Sequence, residues 1–423
     1  MSALIVAIPL FGEAMTVKAY KLCDHAPNIA LDTKDDFRGR SQIYYLPGLE
    51  IVQKIGIEPF SSDMPLFVDT NRFHILTGMF SNKNIPAEKL ILTVSASLDI
   101  DSSVLMGLEG LRGCGYSIAV DGYPKDGLEN HLIGFADHII LDFEDKQFSK
   151  RFEEIKRVLP GKQVVVFNLP DSKEYEKLSR GNTVLCTGNF YKNPVTQGDT
   201  EISPLKVNAL RLLKQINEED FDLKNIAQTI ERDPALSISL LSFINSPAVG
   251  LRSKVGSINN AVAILGQRAV QRWATIAISM GISEDKPGEV TKLSLVRAKF
   301  AENLAPLFEL GVFQNSLFMT GLFSLLDIIL KKPMDEAIKE VAVDNMVQEA
   351  LLHRTGRLYS VMDLVYAYEK ADWNKLSIMM IQNNIPGDLV GEAFVEALVW
   401  YYQLLTAIEG EDDSGGNLGN GSA

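Results

Sequence analysis

Residues 230–273 read IERDPALSISLLSFINSPAVGLRSKVGSINNAVAILGQRAVQRW, and this stretch decides how the chain is read. Asp233-Pro234 opens a helix, because the missing N–H of proline is not needed in a first turn. Leu236, Leu240, Leu241 and Ile244 then recur at helical spacing. Asn245-Ser246-Pro247 stops that helix, since proline cannot continue the hydrogen-bond ladder. Ser257 precedes Ile258, Ala261, Val262 and Leu265, the pattern of an N-cap before an apolar face. Gly266 breaks the register, and Val270, Trp273 and Ile276 start the next face. The pattern predicts a packed bundle of short helices.

Working outward, the same character holds from about residue 200 to residue 408. Helices are predicted over 204–216, 223–232, 258–265, 268–280, 289–310, 317–330, 334–341, 345–353, 359–370 and 389–408. The residues before 200 read differently. Apolar runs at 3–9, 65–69, 90–94, 117–121, 138–142, 163–168 and 183–187 alternate with helical or loop segments. From the second run on they recur every ~25 residues, the spacing of β/α units around a parallel sheet or barrel. Several end on a polar residue: Asp69, Asp121, Asp142 and Asn168. In a β/α barrel the C-terminal strand ends form the mouth where chemistry sits. The join at 194–204 (PVTQGDTEISP) has two prolines among polar residues and marks a boundary. The expected domains are 1–197, 198–408 and a polar, glycine-rich tail at 409–423 expected to be disordered.

Composition narrows the function classes. The formal net charge of −13 argues against a nucleic-acid partner and against docking on anionic lipid. The three cysteines, Cys23, Cys114 and Cys186, are far apart and odd in number, which predicts buried free thiols in a reducing cytosol. The opening MSALIVAIPLF lacks a basic region and a cleavage site and reads as a strand. No uncharged apolar run reaches about 18 residues, so the expectation is a cytoplasmic protein without a membrane span.

The ordered words DPAL, LL, NSPAVG, SINNAVAILG and RW resemble the HDOD domain, a helical signalling domain related to HD phosphohydrolases. The barrel half is similar to EAL domains, which hydrolyse cyclic di-GMP. IPLF followed by TVKAYKL stands where that family has Q-P-I and then E-x-L. SIAVDG stands at its A-x-D-D, HIILDF at its Y-I-K-x-D, and CTGNFYKNP at its Q-G-Y-x-F-x-K-P. The implied fold is a reduced, TIM-type α/β barrel followed by an all-α HDOD bundle, as in EAL–HDOD signal-transduction proteins.

The resemblance also implies what is missing. EAL chemistry uses two divalent cations on carboxylate and amide oxygens, which activate water and clamp the phosphodiester. Lys21 stands at the signature glutamate, Asp69 at a metal-binding asparagine, and Thr93 at the glutamate of the next strand. Asp121 keeps the first aspartate of a pair, and Gly122 replaces the second. Ile140 replaces a lysine, Phe167 a later glutamate, and Ile8 and Thr187 the glutamines that flank the nucleotide. At ~4 Å, and an effective dielectric of ~20, two like charges cost ~4 kcal/mol, so Lys21 opposes a metal there. An offset of one residue at the strand ends would bring in Asp142 and Asp145, which otherwise read, like Asp121, as loop or strand-end carboxylates.

The HD family holds its metal on several histidines and an adjacent His-Asp pair. Ser324 and Leu325 stand at that pair, and His353 is the one histidine in the helical half. His353 reads as a basic residue at a helix C-terminus. The expected function is a non-enzymatic regulatory scaffold in bacterial signalling, with no cofactor and no catalytic residue. Other signalling proteins are its expected partners, together with self-association through exposed helix faces. The alternatives are a sensor that binds a nucleotide such as cyclic di-GMP in the barrel, and a residual cyclic di-GMP phosphodiesterase.

Overall fold

The computed structural model describes residues 3–25, 47–62, 64–78, 85–180, 184–193, 210, 213–214, 216, 222–232, 234–245, 254–282, 288–341 and 343–409. The tail from 410, the join at 194–204, and most of the helix expected at 204–216 lie outside them. The described chain divides into two compact units.

The first unit is a closed eight-stranded barrel in the order β1 to β8. Its strands are β1 (Leu4–Phe11), β2 (Val17–His25), β3 (Leu66–Thr70), β4 (Leu90–Ser95), β5 (Ser117–Asp121), β6 (His138–Asp142), β7 (Gln163–Leu169) and β8 (Val184–Gly188). β2 to β8 are parallel neighbours, separated by helices such as Ser102–Gly113 and Phe148–Val158.

β2 corrects the sequence reading, which had no strand there and placed β/α units from the second apolar run on. β1 and β2 form an antiparallel hairpin, with Leu4 opposite His25 and Ile8 opposite Lys21. The turn between them is tight, with Ala14 and Met15 at positive φ. A turn this short can join only antiparallel strands.

Side chains alternate in and out along each strand. The inward ones, Leu10, Ala19, Phe67, Ile91, Ala119, Ile140, Val165 and Leu185, form one buried cluster with Phe167 packed on it, so the barrel is filled and not a pore. β1 meets β8 through the pair Phe11 and Cys186, at one end of the seam.

The unit also contains Tyr366–Glu392, which the sequence reading gave to the helical domain at 198–408. The reason is packing. Tyr368 is fully buried and its hydroxyl receives the Ile5 N–H at 3.0 Å. Gly391 lies so close to Ala3 that a Cβ there would stand 2.5 Å from the Ala3 carbonyl oxygen. Trp373 stacks on His25 with ring centroids 5.8 Å apart. The helix Trp373–Gln382, not anticipated from sequence, begins at Asp372, whose side chain caps the Lys375 N–H.

The second unit is helical. Its helices include Leu223–Glu231, Pro234–Asn245, Ile258–Ile282, Gly288–Leu304 and Gln314–Phe323. Ser257 Oγ accepts from the Asn260 N–H at 3.3 Å, as its N-cap position requires. Gly266 sits at φ 74°, which splits Ile258–Ile282 into two segments where the register was expected to break. The long helix expected to Leu310 ends at Leu304, because Pro306 forces a tighter turn over Ala305–Phe308. Gly288–Leu304 crosses Gln314–Phe323 at contact distance. A Cβ on Gly321 would stand 2.6 Å from Ala298 N and Cα. No helix among the described residues is long and apolar enough to cross a membrane.

Candidate functional site

The inward parity that fills the barrel also builds its mouth. Ile8, Lys21, Asp69, Thr93, Asp121, Phe167 and Thr187 each lie two residues from a member of the interior cluster on the same strand, and Ile140 belongs to it. The structure therefore brings these sequence-selected positions onto the inner wall. Gly122 follows the end of β5, at φ 94°, with its N–H on the Ile140 carbonyl at 3.0 Å. Only glycine enters that backbone region without strain.

Lys21 forms an ion pair with Asp69 from the neighbouring strand. The Lys21 side chain is 7% exposed and that of Asp69 is 58% exposed, so the pair runs from the barrel interior to solvent. Asp121 stands two strands from Asp69 and makes no side-chain hydrogen bond among the described residues, so it does not cap a loop. Hydration lost inside the mouth pushes its carboxyl above the ordinary range. Asp69 and Asp142 push the same way, and Lys21 opposes them. Asp142 accepts from the Glu144 N–H at 2.9 Å and from Asn168 Nδ2 at 3.0 Å. Asn168 holds φ 61°, a left-handed conformation that asparagine tolerates better than most residues. Asp145 belongs elsewhere: it pairs with Arg151 and takes the Gln147 N–H at 2.8 Å.

Sequence reasoning did not select two neighbours on β2. Burial pushes the Cys23 thiol up to about 12, against a lowering by Lys21. Burial also raises the Asp24 carboxyl, although the Gly48 N–H donates to it at 2.6 Å. The strand that carries Lys21 would have flagged both, had it been recognised. Cys186 is buried as expected, but Cys23 is half-buried and Cys114 is exposed at the end of Ser102–Gly113, contrary to the reading of all three thiols as buried.

These residues do not fit a pair of divalent cations. The ammonium of Lys21 already lies on Asp69, and Thr93 supplies a neutral hydroxyl where a second carboxylate is needed. Among the described residues no group of three His, Cys, Asp or Glu side chains is arranged to hold a metal ion.

In the helical unit, Ser324 and Leu325 lie between the helices Gln314–Phe323 and Leu326–Leu330. Ser324 Oγ donates to the Gly321 carbonyl at 2.6 Å and accepts from Arg297 Nη1 at 3.0 Å. Leu325 is buried. Arg297 is 6% exposed, so a buried guanidinium stands at the HD position. Nothing in the sequence signalled it. His353 is exposed at the end of a helical turn, as expected.

Comparison with known proteins agrees with this division. Residues 202–357 match the HDOD domain. That segment is an HDOD domain. The closed eight-stranded barrel precedes it in sequence. YuxH of Bacillus subtilis (strain 168) is 25% identical over 422 residues, covering 96% of this chain and 100% of its own. The cyclic di-GMP phosphodiesterase CdgJ of Vibrio cholerae is 23% identical over 319 residues, covering 75% of this chain and 74% of its own. The EAL enzyme Bd1971 in its cAMP-bound form is 12% identical with a TM-score of 0.36, covering 46% of this chain and 63% of that one. The chain thus spans less than two thirds of that enzyme.

Proposed function

We propose that this EAL–HDOD chain is a non-enzymatic regulatory scaffold in cyclic di-GMP signalling, recognised through its surfaces by other signalling proteins. The observation that carries this reading is the Lys21–Asp69 ion pair inside the barrel mouth. A lysine at this point places the positive charge of a metal on the protein itself. A divalent cation would have to displace an ammonium from its carboxylate and then find further oxygens. Among the described residues, Asp24, Asp121 and Asp142 are the carboxylates that share this electrostatic environment, and Asp24 and Asp142 already accept hydrogen bonds.

The same charges disfavour a cyclic dinucleotide, which carries two negative charges. Asp69, Asp121 and Asp142 outnumber Lys21, so the mouth repels anions. The relationship to a cyclic di-GMP phosphodiesterase supports the pathway and not the reaction. The buried Arg297 against Ser324 supports the same reading for the HDOD unit, where a cation again stands in the place of metal-binding groups.

The test is incubation of the full chain with cyclic di-GMP and Mg²⁺ or Mn²⁺, followed by chromatography. No linear dinucleotide is expected. Turnover that disappears in Asp121→Ala would overturn the proposal. Calorimetry with cyclic di-GMP separates the sensor alternative: no saturable heat is expected, with or without Mg²⁺.

A further inference from the structure

The inner wall of β2 does not stop at Lys21. Cys23 and His25 follow at two-residue steps, and the pairing of β1 with β2 runs unbroken from Leu10 opposite Ala19 to Leu4 opposite His25. The three side chains therefore share one face, with about 7 Å between neighbours along the strand. Cys23 is half-buried there and feels the charges of Lys21, Asp69 and Asp121. His25 is the last residue of β2 and stands at the rim. The ring of Trp373 lies nearly parallel to its imidazole, with 9° between the planes and centroids 5.8 Å apart. A side chain from the far end of the sequence thus covers the top of this wall.

Trp373 opens the helix Trp373–Gln382, and the segment that carries this helix is attached unevenly. Before the helix, Tyr368 is fully buried and holds the Ile5 N–H. After it, Ile385 and Val390 are buried, and Gly391 has no room for a Cβ beside the Ala3 carbonyl. Between these anchors, Leu376 and Met380 are the buried residues of the helix, while Ile378 and Ile381 are exposed. Two left-handed residues bracket it, Ala371 and Asn384, both at φ 52°. At each the chain turns sharply: the Ala371 N–H donates to the Tyr368 carbonyl at 2.9 Å, and the Asn384 N–H to the Ile381 carbonyl at 3.2 Å. A β-carbon makes this backbone region costly, most of all for alanine, which has no polar side chain to compensate. A short element with few buried apolar side chains opens locally before the core around it does.

We propose that the helix Trp373–Gln382 is a flap on the rim of the barrel mouth, hinged at Ala371 and Asn384, which swings off His25 while Tyr368 and Gly391 stay anchored. Closed, it shelters the Cys23 end of the inner wall. Open, it admits solutes toward Lys21, Asp69 and Asp121. Access to the mouth is then governed by residues that follow the HDOD domain in sequence.

The experiment combines amide exchange of the full chain in increasing, sub-denaturing urea with iodoacetamide labelling at pH 8, read by peptide mass spectrometry. In wild type, the amides of Leu376 and Met380 should exchange at rates nearly independent of urea, because a flap exposes little surface when it opens. The amides of β4 and β7 should instead follow global unfolding. Cys186, buried on β8 with a thiol pushed up to about 12 like that of Cys23, reports on the barrel itself. Cys23 should label with the weak urea dependence of the flap, and Cys186 with the steep dependence of the core. Trp373→Ala removes the stack and should speed labelling of Cys23 about tenfold, with exchange at Ile5 unchanged. Ile381→Ser, on the outer face of the same helix, should change neither. If Trp373→Ala fails to fold, the wild-type comparison of Cys23 with Cys186 decides. The proposal falls if the two thiols share one urea dependence, or if Trp373→Ala labels Cys23 at the wild-type rate. It also falls if exchange at Ile5 rises together with Cys23 labelling, since the anchors would then leave with the helix.

Discussion

The hydroxyl of Tyr368 receives the backbone N–H of Ile5 at 3.0 Å, a bond that joins residues 363 positions apart. Ile5 is on the strand whose far edge meets β8 through the single described pair of Phe11 and Cys186. Its N–H therefore lacks a sheet partner, and a buried N–H must be satisfied elsewhere. Tyr368 supplies the acceptor from a segment that follows the HDOD domain in sequence. Burial pushes its phenol far above the ordinary range, so it stays neutral at all working pH values.

Tyr368→Phe should orphan the Ile5 amide without changing the packing. A buried group left unpaired costs about 1–3 kcal/mol. The expected result is a lower urea midpoint with an unchanged slope, and faster hydrogen exchange at Ile5. Unchanged exchange at Ile5 would mean that the tyrosine does not close the seam.

Gly321→Ala probes the HDOD unit in the same way. The new Cβ would stand 2.6 Å from Ala298 N and Cα and from the Arg297 carbonyl oxygen, all backbone atoms that cannot rotate aside. Overpacking of this kind costs about 1–3 kcal/mol. The two helices must separate, which also stretches the Arg297–Ser324 hydrogen bond. The thermal midpoint should fall, and a wild-type midpoint would show that the crossing is looser than this geometry.

The parallel strands were legible because strands buried on both faces are almost wholly apolar, as in LILTVS of β4 and QVVVFNL of β7. β2 was not, because VKAYKLCDH carries Lys18, Lys21 and Asp24 through a strand, and such charges look like a loop until the ion pair is seen. The helix Trp373–Gln382 was hidden for another reason. Leu376 and Met380 are buried, but Ile378 and Ile381 are exposed, so its sequence shows no single apolar face. At the candidate site, Asp69 and Asp121 were legible as polar residues at strand ends, whereas Lys21 and Thr93 were selected through the resemblance to EAL domains. Arg297 was beyond reach, because its helix is buried on nearly every side and no periodicity separates a core position from a site.

The raised carboxyl of Asp121 makes a prediction about pH. Its folded-state pKa lies above the unfolded value of 3.8, so in the window between them the folded state holds the extra proton. Stability from this group is present below about pH 3.8 and is lost as pH rises through the folded value. At pH 7 the charged carboxylate therefore weakens the barrel. Asp121→Asn should raise the urea midpoint at pH 7, and the gain should vanish near pH 3.5. A gain that persists at low pH would point to packing and not to charge.

The thiols should differ in reactivity. Only the thiolate attacks an alkylating agent, and burial pushes Cys23 and Cys186 up to about 12. At pH 8 both are therefore held almost wholly as neutral thiols. Cys114 is exposed. Iodoacetamide at pH 8 should label one thiol rapidly, and peptide mass spectrometry should place it at Cys114. Rapid labelling of Cys23 would mean that Lys21 lies closer to the thiol than to Asp69.

The Lys21–Asp69 pair should respond unequally to loss of each partner. Asp69 is 58% exposed and stays hydrated when its partner is removed. Lys21 is 7% exposed, and its ammonium depends on Asp69 for its solvation. Removing one partner of a buried pair costs about 3–5 kcal/mol where the charge left behind is buried, as Lys21 is, whereas apolar replacement of a buried pair as a whole is often neutral or stabilising. Asp121 on the same wall softens the loss. Asp69→Ala should therefore lower the urea midpoint clearly, and Lys21→Met should leave it unchanged or raise it. The double variant should recover most of the Asp69→Ala loss, since it removes the stranded cation. Equal effects from the two single changes, with no recovery in the double, would mean that the lysine is held by the mouth as a whole and not by Asp69.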